Sequence, residues 1–250
     1  MDILRTGEGP VRVVAVHGIQ GTNAAWLPLA QALRRECRFV LPNLWGRGTA
    51  PRPASPAHCT LESYGAMLRE VIDAEVGDQP YVLAGWSMGV SVALWQAAHS
   101  LRRGRCPTGL LLLSGSPQLS AAPWFRATEA PQLLAEIAAR ERRLGLTQAA
   151  DHTTVAWTWQ ALRSADQRKL LPSLRLPALV VHGDSDVDCP AHHARALATG
   201  LPEATLLMLP GAGHGILTAN TAAVAAAVRA QLPRLAAAPA VGTYFPRSQS

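Results

Sequence analysis

The sequence predicts an α/β protein whose mostly parallel sheet carries helices on both faces. Three observations predict it. Short, continuously apolar runs recur along the chain. Helix-like segments alternate with these runs, the pattern of parallel strands buried on both faces. One run, residues 80–84, passes through Gly85-Trp86-Ser87-Met88-Gly89 into a segment rich in small residues. That is a strand, a tight turn and a helix in immediate succession.

The elements follow in order. Residues 11–16 (VRVVAV) are the first apolar run, and the loop 17–23 comes after it. Residues 24–35 read as helix and 38–41 as a short strand. The glycine-bearing loop Asn43-Leu44-Trp45-Gly46-Arg47-Gly48 follows. Residues 61–76 place apolar side chains at helical spacing. After the Gly-x-Ser-x-Gly turn and its helix, 90–98, come strands at 109–113, 178–181 and 205–209. Residues 116–172 break this rhythm. They hold helical pieces (130–143, 146–159, 164–171) and the aromatics Trp124, Phe125, Trp157 and Trp159, with no convincing buried strand. The expectation is a helical cap, 116–172, inserted into a core formed by 1–115 and 173–236. A polar, Ala/Pro-rich tail, 237–250, is expected to be flexible.

Composition narrows the class. A chain of 250 residues that is 48% hydrophobic and 16% charged is globular rather than disordered. The four cysteines, Cys37, Cys59, Cys106 and Cys189, are widely spaced without a CxxC pair, which reads as reduced thiols rather than disulfides or a zinc site. No signal peptide and no run of about 20 apolar residues is visible, so the expected localisation is cytoplasmic. Net charge is +6, and Lys169 is the sole lysine against many arginines. That balance fits either an acidic partner or a mere compositional habit, and no basic run interleaved with aromatics points to nucleic acid. No HExxH, GxGxxG or P-loop string occurs, so no cofactor, metal or nucleotide is expected. His152, His182, His192 and His193 read as structural.

The chemistry concentrates around Ser87. A serine between two glycines, on a sharp strand-to-helix turn, projects its hydroxyl from the sheet edge beside the amides of a helix N-terminus. A serine hydroxyl is a poor nucleophile until a base takes its proton. His214 is the candidate base, in a glycine-flanked loop after the last strand. The acid that orients it is expected in the loop after the preceding strand, where Asp184, Asp186 and Asp188 all stand.

With Ser87, then an aspartate, then His214 in chain order, each after a strand, the sequence resembles the α/β-hydrolases from Val11 to about Leu235. The resemblance implies the α/β-hydrolase fold, with the cap inserted after the sixth strand. It selects Asp186 as the acid by its spacing between Gly183 and Pro190, leaving Asp184 and Asp188 as turn or capping residues. It implies an oxyanion hole built from the backbone N–H groups of Met88 and of Ile19, in the His17-Gly18-Ile19 turn, with His17 holding that turn. The implied activity is ester cleavage through an acyl-enzyme. Trp86, Trp124, Phe125, Trp157 and Trp159 either line an apolar substrate pocket or pack the cap against the main domain.

The Gly-Trp-Ser-Met-Gly elbow, the His-Gly turn and the short helical cap are similar to carboxylesterases that act on pimeloyl-[acyl-carrier protein] methyl esters. That resemblance implies a place in biotin synthesis, and Arg140, Arg142, Arg143 and Arg163 then either contact an acidic carrier protein or form a solvated helix face. Thioester cleavage, C–C bond hydrolysis and a non-catalytic ligand receptor remain as other readings. The chain departs from many relatives at Val90, where a second glycine is common, at Asn43, where an acid is common, and in the short stretch before Val11.

Overall fold

The structure, a computed structural model, describes residues 1–237. Seven strands form one sheet: β1 (Ile3–Thr6), β2 (Val11–Val16), β3 (Cys37–Pro42), β4 (Tyr81–Trp86), β5 (Gly109–Leu113), β6 (Ala178–Gly183) and β7 (Ala204–Leu209). Their order is β1-β3-β2-β4-β5-β6-β7, and all pair in parallel except β1, which runs antiparallel to β3. The parallel strands match the apolar runs to within a residue or two. β1 does not stand out in the sequence, because Ile3-Leu4-Arg5-Thr6 is a four-residue edge strand with only two apolar side chains.

Period-two alternation explains why the central strands are apolar throughout. Val13, Ala15, Val82, Ala84, Leu111, Leu113, Leu179 and Val181 enter one core, with α1 (Leu27–Ala32), α7 (Ile216–Ala219) and α8 (Thr221–Leu235) against it. Their neighbours Val14, Val16, Leu83, Leu110, Leu112 and Val180 enter the other. That second core takes α2 (Leu61–Glu75), α3 (Met88–Leu101) and α6 (His192–Gly200). The spacing of α2 explains its docking: Tyr64, Met67, Leu68, Val71 and Ile72 share one buried face. The Thr60 hydroxyl starts this helix by accepting from the Ser63 N–H at 3.2 Å.

Between β5 and β6 lie α4 (Ala130–Leu144) and α5 (His152–Leu162). Counted along the chain, this insertion follows the fifth strand rather than the sixth, because only a single antiparallel strand, β1, precedes the parallel set. Its two ends meet in an isolated antiparallel bridge between Gln118 and Asp166. α4 ends where Gly145 turns left-handed at φ 61°. The expected helix 146–159 begins later, at His152, because the Asp151 carboxylate accepts from the Thr154 N–H and caps it there. The expected helix 164–171 is a short 3-10 turn, Arg168–Ser173, with Pro172 inside. Leu133, Ile137, Val155 and Trp159 of the insertion belong to the same core as α2 and α3, so cap and sheet share one apolar interior. All four cysteines are free. Among the described residues no helix is long and apolar enough to cross a membrane. The expected tail lies, from residue 238 onward, outside the described residues.

Candidate active site

Ser87 sits between β4 and α3 with φ 57° and ψ −123°, a backbone conformation that L-residues avoid. The flanking glycines make it possible. A Cβ on Gly85 would stand 2.3 Å from the Gly89 carbonyl oxygen, and one on Gly89 would stand 2.2 Å from the Val16 carbonyl oxygen. Neither contact leaves room for a side chain. The strained turn aims the Ser87 hydroxyl at the loops that follow β6 and β7.

Those loops bring Asp186 and His214 to it. The Ser87 Oγ lies 2.9 Å from His214 Nε2, and His214 Nδ1 lies 2.8 Å from Asp186 Oδ2. With its proton on Nδ1, the imidazole donates to Asp186 and leaves Nε2 to accept the Ser87 hydroxyl. The other Asp186 oxygen, Oδ1, accepts the backbone N–H groups of Asp188 at 3.0 Å and Cys189 at 2.8 Å. All three side chains are buried, a low-dielectric setting in which charge interactions are strong.

The two amides expected to receive an oxyanion lie beside this relay. Met88 is the first residue of α3, so its N–H has no acceptor within the helix. The loop carrying Ile19 presses on the nucleophile: a Cβ on Gly18 would stand 3.1 Å from the Ser87 Cβ. His17 orients this loop. Its Nδ1–H donates to the Gly18 carbonyl at 2.8 Å, and its Nε2 accepts from the Leu44 N–H at 3.1 Å. Because N–H and C=O of one peptide point opposite ways, a fixed Gly18 carbonyl fixes the direction of the Ile19 N–H. Complete burial, and then the positive charge of Arg47, push the His17 pKa down to about 3, so it holds the loop as a neutral ring.

Sequence reasoning assigned no role to Arg47. Its guanidinium is fully buried and donates to the carbonyls of Ile19 (2.7 Å) and Trp45 (2.7 Å) and to the Tyr64 hydroxyl (2.9 Å). The only signal in the sequence was its place in the glycine-flanked loop 43–48.

The expected substrate aromatics separate into two groups. Trp86 lies against the His214 ring, with centroids 5.4 Å apart, and lines a cleft of about 230 Å³ with His214, Gly21, Thr22, Leu146 and Thr218. Trp124, Phe125 and Trp159 are buried in the core, with the Trp159 ring tilted against Trp124 at 5.6 Å and edge-on to Phe125 at 5.7 Å. Trp157 is half-buried against the same core. None of these four lines that cleft; packing between cap and sheet absorbs them.

The four expected carrier-contact arginines separate as well. Arg142 and Arg163 are exposed. Arg140 is not available to a partner: it is buried, and its Nε donates to Asp188 Oδ1 at 2.8 Å. Arg143 is half-exposed and donates to both Asp188 oxygens. Asp188, expected to be a turn residue, is therefore a buried ion-pair centre. Burial raises its pKa, but the bond from Arg143 and the charge of Arg140 outweigh this and hold it down at about 2. Asp184 does serve the turn, accepting from the Gly211 N–H at 2.7 Å.

Comparison with known proteins places the chain in context. A thioesterase-domain family description matches residues 11–232. The polyketide synthase ThaQ of Burkholderia thailandensis is 29% identical over 92% of this chain, which spans 12% of that protein's length. The pimeloyl-[acyl-carrier protein] methyl ester esterase of Nitrosomonas europaea is 27% identical over 84% of this chain and 90% of its own. An esterase structure from Thermogutta terrifontis superposes with a TM-score of 0.75 at 23% identity, covering 94% of each chain.

Proposed function

The chain belongs to the thioesterase-domain family of α/β-hydrolases and is a hydrolase, and from that premise we propose that it cleaves the carboxylic ester or thioester of an acyl chain through an acyl-enzyme on Ser87. The single observation that carries this reading is the continuous relay from Asp186 through His214 to Ser87, at 2.8 and 2.9 Å. His214 takes the Ser87 proton as Oγ attacks the carbonyl carbon. The Met88 and Ile19 N–H groups stabilise the resulting oxyanion. His214 then protonates the departing oxygen or sulfur, and water repeats the cycle on the acyl-enzyme. Asp186 keeps the proton on Nδ1 throughout.

The cleft beside His214 fits the leaving-group side, since the leaving group must reach the imidazole that protonates it. Its lining is uncharged, with the hydroxyls of Thr22, Thr147 and Thr218 beside Leu144, Leu146 and Leu217. Such a lining suits an uncharged arm bearing amides or hydroxyls. Likeness to the pimeloyl-[acyl-carrier protein] methyl ester esterase supports a carrier-linked acyl substrate, with an acidic carrier protein as the partner.

Hydrolysis of p-nitrophenyl esters from C2 to C12 tests the nucleophile. The Ser87→Ala variant is expected to lose activity by a factor on the order of 10³ or more, and the optimum chain length sizes the acyl pocket. An alanine variant as active as the parent would remove this mechanism. One acyl group presented as a methyl ester and as a pantetheine thioester then separates the two leaving groups by kcat/KM.

A further inference from the structure

The cap does more than cover the site. Arg140 and Arg143 stand three residues apart on α4 and so share one face of that helix. Both donate to the Asp188 carboxylate: Arg140 Nε at 2.8 Å, and Arg143 Nη1 and Nη2 at 3.0 and 2.7 Å. The Asp188 carbonyl accepts from the Trp124 indole N–H at 2.9 Å, again from the cap. The Asp188 backbone N–H is meanwhile one of the two backbone donors that hold Asp186. Three cap side chains thus hold the residue that holds the acid.

The same arginine reaches the opposite side of the nucleophile. Arg140 Nη1 donates to the Gln20 side-chain oxygen at 2.7 Å, and the Gln20 amide nitrogen donates to the Ile137 carbonyl of α4 at 2.9 Å. Gln20 directly follows Ile19. The guanidinium lies near both Trp124 and Phe125, 5.7 and 5.8 Å from their ring centres. Only 5% of the Arg140 side chain and 3% of the Asp188 side chain is exposed, so the pair is removed from solvent, where such a pair is weak support for stability alone. β2 and β6, which lead into the two loops, are not neighbours in the sheet; β4 and β5 separate them. Arg140 bridges them from above.

We propose that Arg140 is a positioning residue: seated in the cap, it clamps the acid loop through Asp188 and the oxyanion loop through Gln20, so that alignment of the site depends on α4 being docked. This inference rests on the hydrolase reading of Ser87, Asp186 and His214.

The test uses the full chain and two readouts, p-nitrophenyl butyrate turnover and the rate of Ser87 labelling by a fluorophosphonate, with a thermal melt of each variant. Arg140→Met is expected to lower kcat and labelling together by about tenfold to a hundredfold, the scale of a sub-ångström misplacement, with KM little changed. Arg140→Lys restores part of the rate, because one ammonium cannot span both partners. Arg140→Met leaves the buried Asp188 carboxylate with Arg143 alone; adding Asp188→Asn removes that half-paired charge and regains thermal stability, while kcat stays low. Gln20→Met severs the oxyanion arm alone and lowers kcat with little change in melting, which keeps the test valid if Arg140→Met fails to fold. Wild-type kcat in a folded Arg140→Met protein would overturn the proposal. So would a double variant that regains both stability and kcat, since the pair would then serve only its own burial. A wild-type chain that neither labels nor turns over would overturn the hydrolase reading, and this inference with it.

Discussion

Ser87 holds its hydroxyl in place at the expense of backbone strain, and its neighbours are chosen to tolerate that strain. Around it, the individual histidines carry different duties set by burial. His17 is fully buried with its pKa pushed down to about 3, first by desolvation and then by Arg47. His193 is also buried, lies 2.8 Å from the Ser116 hydroxyl, and is pushed down to about 4, again first by desolvation. In the unfolded chain both titrate near 6.5. A depressed folded pKa means that the unfolded chain binds protons first as pH falls. Stability should therefore be intact above about pH 6.5 and decline steadily between 6.5 and 4. Thermal melts across that window check this, and His193→Gln should make the decline shallower. Melting temperatures that are flat from pH 7 to 4.5 would contradict it.

The elements work by close approach. α3 can start directly beneath Ser87 because Gly89 lets its first turn lie on the end of β2, where any Cβ would strike the Val16 carbonyl oxygen at 2.2 Å and stand 2.9 Å from that of His17. Gly89→Ala should push α3 away from β2, costing about 1–3 kcal/mol by overpacking. It should also separate the Met88 N–H from the Ile19 N–H, so kcat should fall more than KM rises. Urea unfolding and steady-state kinetics measure the two effects, and an alanine variant with parental kcat would show that the approach matters only to folding. The glycine at the end of α4 is of another kind: Gly145 has nothing within 4 Å of a Cβ, and its value is its left-handed turn.

At the scale of the whole molecule, the sheet is a platform that delivers three loops, after β4, β6 and β7, to one edge, and the insertion between β5 and β6 contacts the loop after β6 through Arg140, Arg143 and Trp124. The excess of arginine divides between structure and surface. Arg47 and Arg140 are internal, while Arg142 and Arg163 are exposed on the cap. If the acyl chain arrives on an acidic carrier, reversing Arg142 and Arg163 to glutamate should lower kcat/KM for the carrier-linked substrate and leave the free ester unaffected, with the difference shrinking as salt rises. An equal effect on both substrates would leave those arginines as solvated surface.

The strands, the Ser87 turn and the Ser–Asp–His order were legible because they are local: an apolar run, a pair of glycines, a loop after a strand. The first edge strand was not, since four residues at an edge carry little pattern. The same limit applies to the arginines and aromatics. By type, Arg140 and Trp124 suit a surface and a pocket; their burial comes from partners far along the chain, such as Asp188, 48 residues from Arg140 and 64 from Trp124. The sequence alone determined which chemical groups are present and at which end of the sheet they emerge. Only the tertiary structure decided which arginines are internal and which aromatics face the cleft, because those outcomes depend on long-range packing that no local spacing records.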